Sequence, residues 1–99
     1  GGADSLLRLD LQSNNVSLAS ESFSFVGQFT NLRILDVSRN CFTLDTHSQQ
    51  TIFRNGLTPL SRLQTLSVAF NKIMDKGCHH VCTLVKEHLP LLQILDLAG

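Results

Sequence analysis

The residues best suited to chemistry are a group of thiols and imidazoles near position 80. Zinc could be bound there by Cys78, His79, His80 and Cys82, because thiolates and imidazoles bind it tetrahedrally. The surrounding apolar spacing, however, predicts a helix on which Cys78 and Cys82 share the apolar stripe while His79 and His80 turn toward solvent. We therefore expect the two cysteines to be buried, reduced and metal-free, without a nucleophilic Cys–His pair.

A second candidate is a set of aspartates that recur at one position of a short pattern. Asp10 and Asp96 each lie between two leucines, and Asp36 lies between Leu35 and Val37. If neighbouring strands carry them, Asp10 and Asp36 would lie about 5 Å apart. That spacing could serve paired carboxylates or a bound cation.

These aspartates belong to a repeat that organises the whole chain. The pattern is L-x-x-L-x-L/V-x-x-N-x followed by an apolar residue, and it starts at residues 6, 32 and 63, with a fourth copy begun at 92. The starts are 26, 31 and 29 residues apart. Alternation of apolar and polar residues predicts four short strands that form one parallel sheet in chain order, near 8–12, 34–38, 65–69 and 94–98.

The pattern resembles leucine-rich repeats. The resemblance implies an α/β solenoid, a right-handed superhelix (horseshoe) with a concave parallel sheet and convex helices. The chain is then one segment of such a domain, with repeats over about 6–31, 32–62 and 63–91 and the start of a fourth at 92–99. The resemblance also implies that the aspartates are solvated on the concave face and that an inward-pointing asparagine ladder closes the turns, formed by Asn14, Asn40 and Asn71.

The segments between the strands carry helix signals. Repeat one has steps of three residues that fit a short helix or a 3₁₀ segment. In repeat two, Thr46-x-x-Gln49 is a capping box, and Gly56 is placed to end the helix in the left-handed conformation.

In repeat three, Asp75 is a candidate N-cap, and Pro90 ends the helix near His88. Its D-x-G pattern followed by regularly spaced apolar residues is similar to the ribonuclease-inhibitor-like subfamily, whose members are typically intracellular.

Composition narrows the class of partner. Eight basic and eight acidic residues give no net charge, which argues against nucleic acid. No apolar run approaches the roughly 18–20 residues of a membrane span, so we expect no membrane insertion by this segment. Three cysteines without an end cluster indicate a fragment of a longer solenoid, packed against flanking repeats of the same chain and poorly soluble or oligomeric when isolated.

The function that these features favour is non-catalytic protein binding on the concave face, without a cofactor, in an intracellular and cytoplasmic protein. Ile34, Arg39 and Phe70 are the anchor types that interfaces prefer. The full set of expected partner contacts is Arg8, Asp10, Gln12, Ile34, Asp36, Ser38, Arg39, Ser67 and Phe70. One alternative is the ligand-binding ectodomain of a Toll-like or similar receptor, favoured by repeat one and by the glycosylation sequon at Asn15. Another is an accessory arm of an enzyme such as a ubiquitin ligase.

Overall fold

Four strands of three residues each form one parallel sheet in chain order, β1 (Arg8–Asp10), β2 (Ile34–Asp36), β3 (Thr65–Ser67) and β4 (Ile94–Asp96). This computed structural model describes residues 5–14, 21–40 and 42–98, so the Asn15 sequon lies outside it. The central leucines of the four strands are in register, Leu9, Leu35, Leu66 and Leu95. The predicted parallel sheet and its order are confirmed, although each strand is shorter than predicted.

The core lies on the leucine side of the sheet, where neighbouring repeats pack together. Leu35 and Leu66 of the two inner strands are fully buried, whereas Leu9 and Leu95 of the outer strands are only partly buried. Because apolar burial contributes about 25 cal/mol for each Å² removed from water, the inner strands contribute most to stability.

The connections cover the core opposite the sheet. Repeat one forms a 3₁₀ helix over Glu21–Gln28, as its steps of three predict. The next connections contain helices α1 (His47–Leu57) and α2 (Asp75–His88).

Helix α1 begins at the predicted capping box. The Thr46 hydroxyl accepts a hydrogen bond from the Gln49 amide at 3.2 Å, and Gln49 Oε1 accepts one from the Thr46 amide at 3.1 Å. The predicted end at Gly56 is wrong, since the helix continues to Leu57 and its C-cap, Thr58, has a right-handed φ of −59°.

Gly56 is instead needed for packing inside the helix. It faces Phe23, and a Cβ at position 56 would lie 2.9 Å from two atoms of that ring. The ring cannot yield easily, because Phe23 stacks on Phe53 at 5.8 Å and meets Phe42 edge-on at 5.4 Å between centroids. All three rings are buried, so glycine lets the 3₁₀ helix and α1 approach closely over an aromatic core.

Helix α2 differs at its start from the sequence prediction. Asp75 is the first helical residue, and the N-cap is Met74, whose side chain makes no capping hydrogen bond. Asp75 is therefore not an N-cap, and its carboxylate instead favours the first turn through the helix dipole. The end at His88 is as predicted, because Leu89 before Pro90 leaves helical geometry with ψ at 68°.

Among the described residues, no helix has both the length and the apolar character needed to cross a membrane.

Replacing Gly56 with alanine should lower the free energy of unfolding by about 1–3 kcal/mol, because the added methyl group overpacks Phe23. The exposed neighbour in the same helix offers a matched control, since Asn55→Ala changes helix propensity without adding a core contact. Chemical denaturation of both variants measures the difference. A Gly56→Ala protein at least as stable as Asn55→Ala would show that the ring moves aside without cost.

Candidate functional site

The sheet face opposite the core presents the side chains that alternate with the buried leucines. We call this the open sheet face. One row across the strands is Arg8, Ile34, Thr65 and Ile94, and the next is Asp10, Asp36, Ser67 and Asp96. Ile94 is 57% exposed, while Ile34 and Ser67 are half-buried. The face is therefore mixed, with exposed apolar groups beside charged ones.

The aspartates of this face end their own strands. Asp10, Asp36 and Asp96 each accept a hydrogen bond through Oδ1 from the backbone amide two residues later, at 3.1, 2.9 and 3.0 Å. The bond from the Gln12 amide, helped by the Gln12 side chain, holds the pKa of Asp10 below its usual value. These bonds turn the chain at the ends of β1, β2 and β4. The aspartates are thus turn-forming groups, not simply solvated carboxylates.

Ser38 was expected to contact a partner, but the structure places its side chain in the interior of the turn. It is only 7% exposed, and its hydroxyl donates to Asp36 Oδ1 at 2.6 Å. Ser38 therefore braces the turn, and its side chain is not available to a partner.

The residue before each asparagine adopts a left-handed backbone conformation that the sequence analysis missed. Ser13, Arg39 and Phe70 have φ values of 60°, 57° and 57°. Their amides bond the next repeat, with Arg39 N donating to Ala69 O at 2.9 Å and Phe70 N to Ala98 O at 2.7 Å. One signal was present in the sequence, because Gly99 occupies the same place in the fourth copy and glycine favours this conformation.

Two of these left-handed residues form a pair on the surface. The Arg39 guanidinium carbon lies 4.5 Å from the centroid of the Phe70 ring, which is a cation–π contact. Arg39 is exposed and Phe70 is 52% exposed. Both backbones are fixed by the bonds to the next repeat, so the pair is an exposed aromatic and cationic group on a rigid base.

Below this pair, the buried carboxamides of Asn40 and Asn71 join neighbouring turns. Asn40 Nδ2 donates to the carbonyls of Leu11, Val37 and Ser38 at 2.9–3.1 Å, and its Oδ1 accepts from the Asn14 amide at 2.9 Å. Asn71 Oδ1 accepts from the amides of Asn40 and Phe42 at 3.1 Å. The Asn71 Nδ2 donates to Val37, Val68 and Ala69 carbonyls at 3.0–3.3 Å.

Asn14 differs from the other two asparagines. Its side chain is exposed and donates to the carbonyl of Gln12 at 3.2 Å, within its own turn. Its backbone amide is the group that Asn40 satisfies.

The cysteine cluster does not have the predicted orientation. Cys82 is exposed and Cys78 is only half-buried, although both thiols are free as expected. The buried residues of α2 are Gly77, Val81 and Leu84, so the core side is rotated from the predicted stripe. Residues two apart in a helix point to nearly opposite sides. His80 faces α1, and the cysteines consequently point away from α1.

His80 is therefore not turned toward solvent as predicted. It lines clefts together with Arg54 of α1. Its Nε2 is shielded from solvent, and no described residue hydrogen-bonds to it. His79 is exposed, as expected. Within the described ranges, no three residues of the His, Cys, Asp or Glu types are placed to hold a metal ion.

Comparison with known families is consistent with this geometry. Residues 30–45 and 61–79 match the model of the Leucine Rich repeat family. Both stretches include a strand, its aspartate or serine, and a buried ladder asparagine. The matches support a leucine-rich repeat protein with a solenoid-like α/β fold, a class that generally acts in protein–protein interaction. Comparison with curated proteins and with solved structures found no match.

Replacing Asn40 with alanine should lower the free energy of unfolding by about 1–3 kcal/mol for each buried backbone group left unpaired. Asn14→Ala is the matched control, because its exposed side chain can be replaced by water. Denaturant midpoints of the two variants give the comparison. Equal midpoints would contradict a structural role for the Asn40 carboxamide.

Proposed function

We propose that this protein is a non-catalytic scaffold that binds another protein on the open sheet face, which is the concave face of a horseshoe. The observation that carries the proposal is the exposed Arg39–Phe70 pair on its fixed backbone. Arginine and aromatic residues dominate the binding energy of protein interfaces. A rigid pair also loses little conformational entropy when a partner binds.

The neighbouring groups suit the rim of such an interface. Ile94 adds an exposed apolar contact, and Ile34 lies half-buried between Arg8 and Thr65 in the same row. Arg8, Asp10, Gln12 and Asp36 supply polar contacts of both charges around them. This mixture favours a protein surface over a nucleic acid, which would need a consistently basic face.

We further propose that flanking repeats of the same chain extend the sheet into a right-handed horseshoe of the ribonuclease-inhibitor-like type. The partly buried Leu9 and Leu95 support this, because one more strand on each side would bury them as fully as Leu35 and Leu66. The repeats over 6–31, 32–62 and 63–91 would then be internal units of one domain.

An intracellular, cytoplasmic location is part of the proposal. Cys78 and Cys82 are free, and Cys82 is exposed. Exposed unpaired thiols persist in reducing compartments and are rare in secreted proteins.

Photo-crosslinking in cells that express the protein tests the binding face. A photoreactive phenylalanine analogue at position 94 should give a discrete protein adduct, because this side chain is 57% exposed on the open sheet face. The adduct should be lost in Arg39→Ala or Phe70→Ala, since each removes an anchor contributing about 2 kcal/mol or more, about thirtyfold in affinity.

The control places the same analogue at Lys86, which is exposed on helix α2. A discrete adduct at position 86 that survives the Arg39 and Phe70 substitutions would place the partner on another surface.

Treatment with a glycosidase tests the location. For a cytoplasmic protein, the electrophoretic mobility should be unchanged by the enzyme and by Asn15→Gln. A shift in the native protein that Asn15→Gln abolishes would favour the receptor ectodomain instead.

A further inference from the structure

A groove lined by one arginine and three histidines runs between helices α1 and α2, on the side of the core opposite the sheet. One part has a cavity volume of about 110 Å³ and is lined by Arg54, His80, Thr83, Leu84, Glu87 and His88. An adjoining part, of about 250 Å³, is lined by His47, Gln50, Thr51, Arg54 and His80. Arg54 and His80 line both parts and therefore lie at the centre of the groove.

Within the described ranges, no carboxylate pairs with the Arg54 guanidinium. In the described part of the chain, the Arg54 side chain makes a polar contact with His88. The distance between Arg54 Nη2 and His88 Nε2 is 3.5 Å. That distance is at the limit of a hydrogen bond, and neither group carries negative charge. The two side chains thus converge on a space that suits an acceptor.

The ring of His80 lines both parts of the same groove. Its Nε2 is shielded from water, and none of the described residues hydrogen-bonds to it. Burial lowers the pKa of His80, the backbone of Gln50 partly opposes this, and the positive charges of Arg54 and His79 lower the pKa further. An anion in the groove would act in the opposite direction, because it favours the charged form of the ring.

We propose that this groove binds a phosphate-type oxyanion between Arg54 and His88, beside the ring of His80. Arg54 and His88 approach from two helices, which suits a tetrahedral group with several acceptor oxygens better than a flat carboxylate. The smaller part of the groove, about 110 Å³, has room for one phosphate group.

Binding is coupled to protonation. An anion beside His80 favours its charged form, so binding takes up a proton and strengthens as the pH falls. Glu87 also lines the groove and opposes the anion, so its charge limits the affinity.

The test is a titration with sulfate, followed by NMR of the histidine ring nitrogens at about pH 5.5 and about pH 7.5. Sulfate remains a dianion at both values, so any change of affinity comes from the protein. We expect tighter binding at the lower pH, with the largest shift on the His80 ring. Arg54→Gln should weaken binding about tenfold, the loss of one charge-assisted hydrogen bond.

Two further substitutions separate the roles of the charges. His80→Gln should reduce the gain in affinity at low pH, and Glu87→Gln should tighten binding at both values. The matched control is Arg62→Gln, because this residue is exposed and does not line the groove. If Arg62→Gln weakens sulfate binding as much as Arg54→Gln, the effect is general surface charge and the proposal fails.

The source of the oxyanion is distinguished by two probes. Inorganic phosphate and a short phosphoserine peptide both contain the proposed group, and at the same pH tighter binding of the peptide points to a phosphorylated partner, whereas equal binding points to a free anion. The absence of binding by sulfate and by both probes, in a protein with an intact fold by circular dichroism, would overturn the proposal.

Discussion

The two inner strands, β2 and β3, can end after three residues because an asparagine carboxamide takes the place of the lost sheet hydrogen bonds. Asn71 alone serves five backbone groups, two amides of the preceding repeat and three carbonyls. Unpaired groups at this depth would cost about 1–3 kcal/mol each. The stacking of the repeats, the left-handed residue before the asparagine and the position of the side chains on the open sheet face all depend on this turn.

Much of the fold could be predicted from short-range patterns. The register of the leucines predicted the parallel sheet. Thr46 and Gln49 predicted the start of α1, and Pro90 predicted the end of α2. In each case the residues that determine the structure lie within a few positions of one another, or recur at the same positions within every copy of the repeat motif.

The errors at Gly56 and along α2 concern contacts between repeats, which no local pattern contains. Gly56 looked like a helix end, but its role depends on Phe23, which is 33 residues earlier in the chain. The predicted apolar stripe of α2 is rotated by about one residue from the side that is buried, because the packing of α1 against α2 determines the buried side. That rotation exposes Cys82 and brings His80 into the groove. The prediction for Ser38 failed for a local reason, because alternation predicts the side of a strand but not that the serine hydroxyl turns back to bond Asp36.

The left-handed turn residues have a consequence for how such a protein evolves. A side chain other than glycine in this conformation costs on the order of 1 kcal/mol. Selection for stability alone would therefore drive Arg39 and Phe70 toward glycine and remove both exposed groups in the process. A glycine at either position would therefore add stability to that repeat and remove an exposed side chain, so in each repeat the two gains exclude each other.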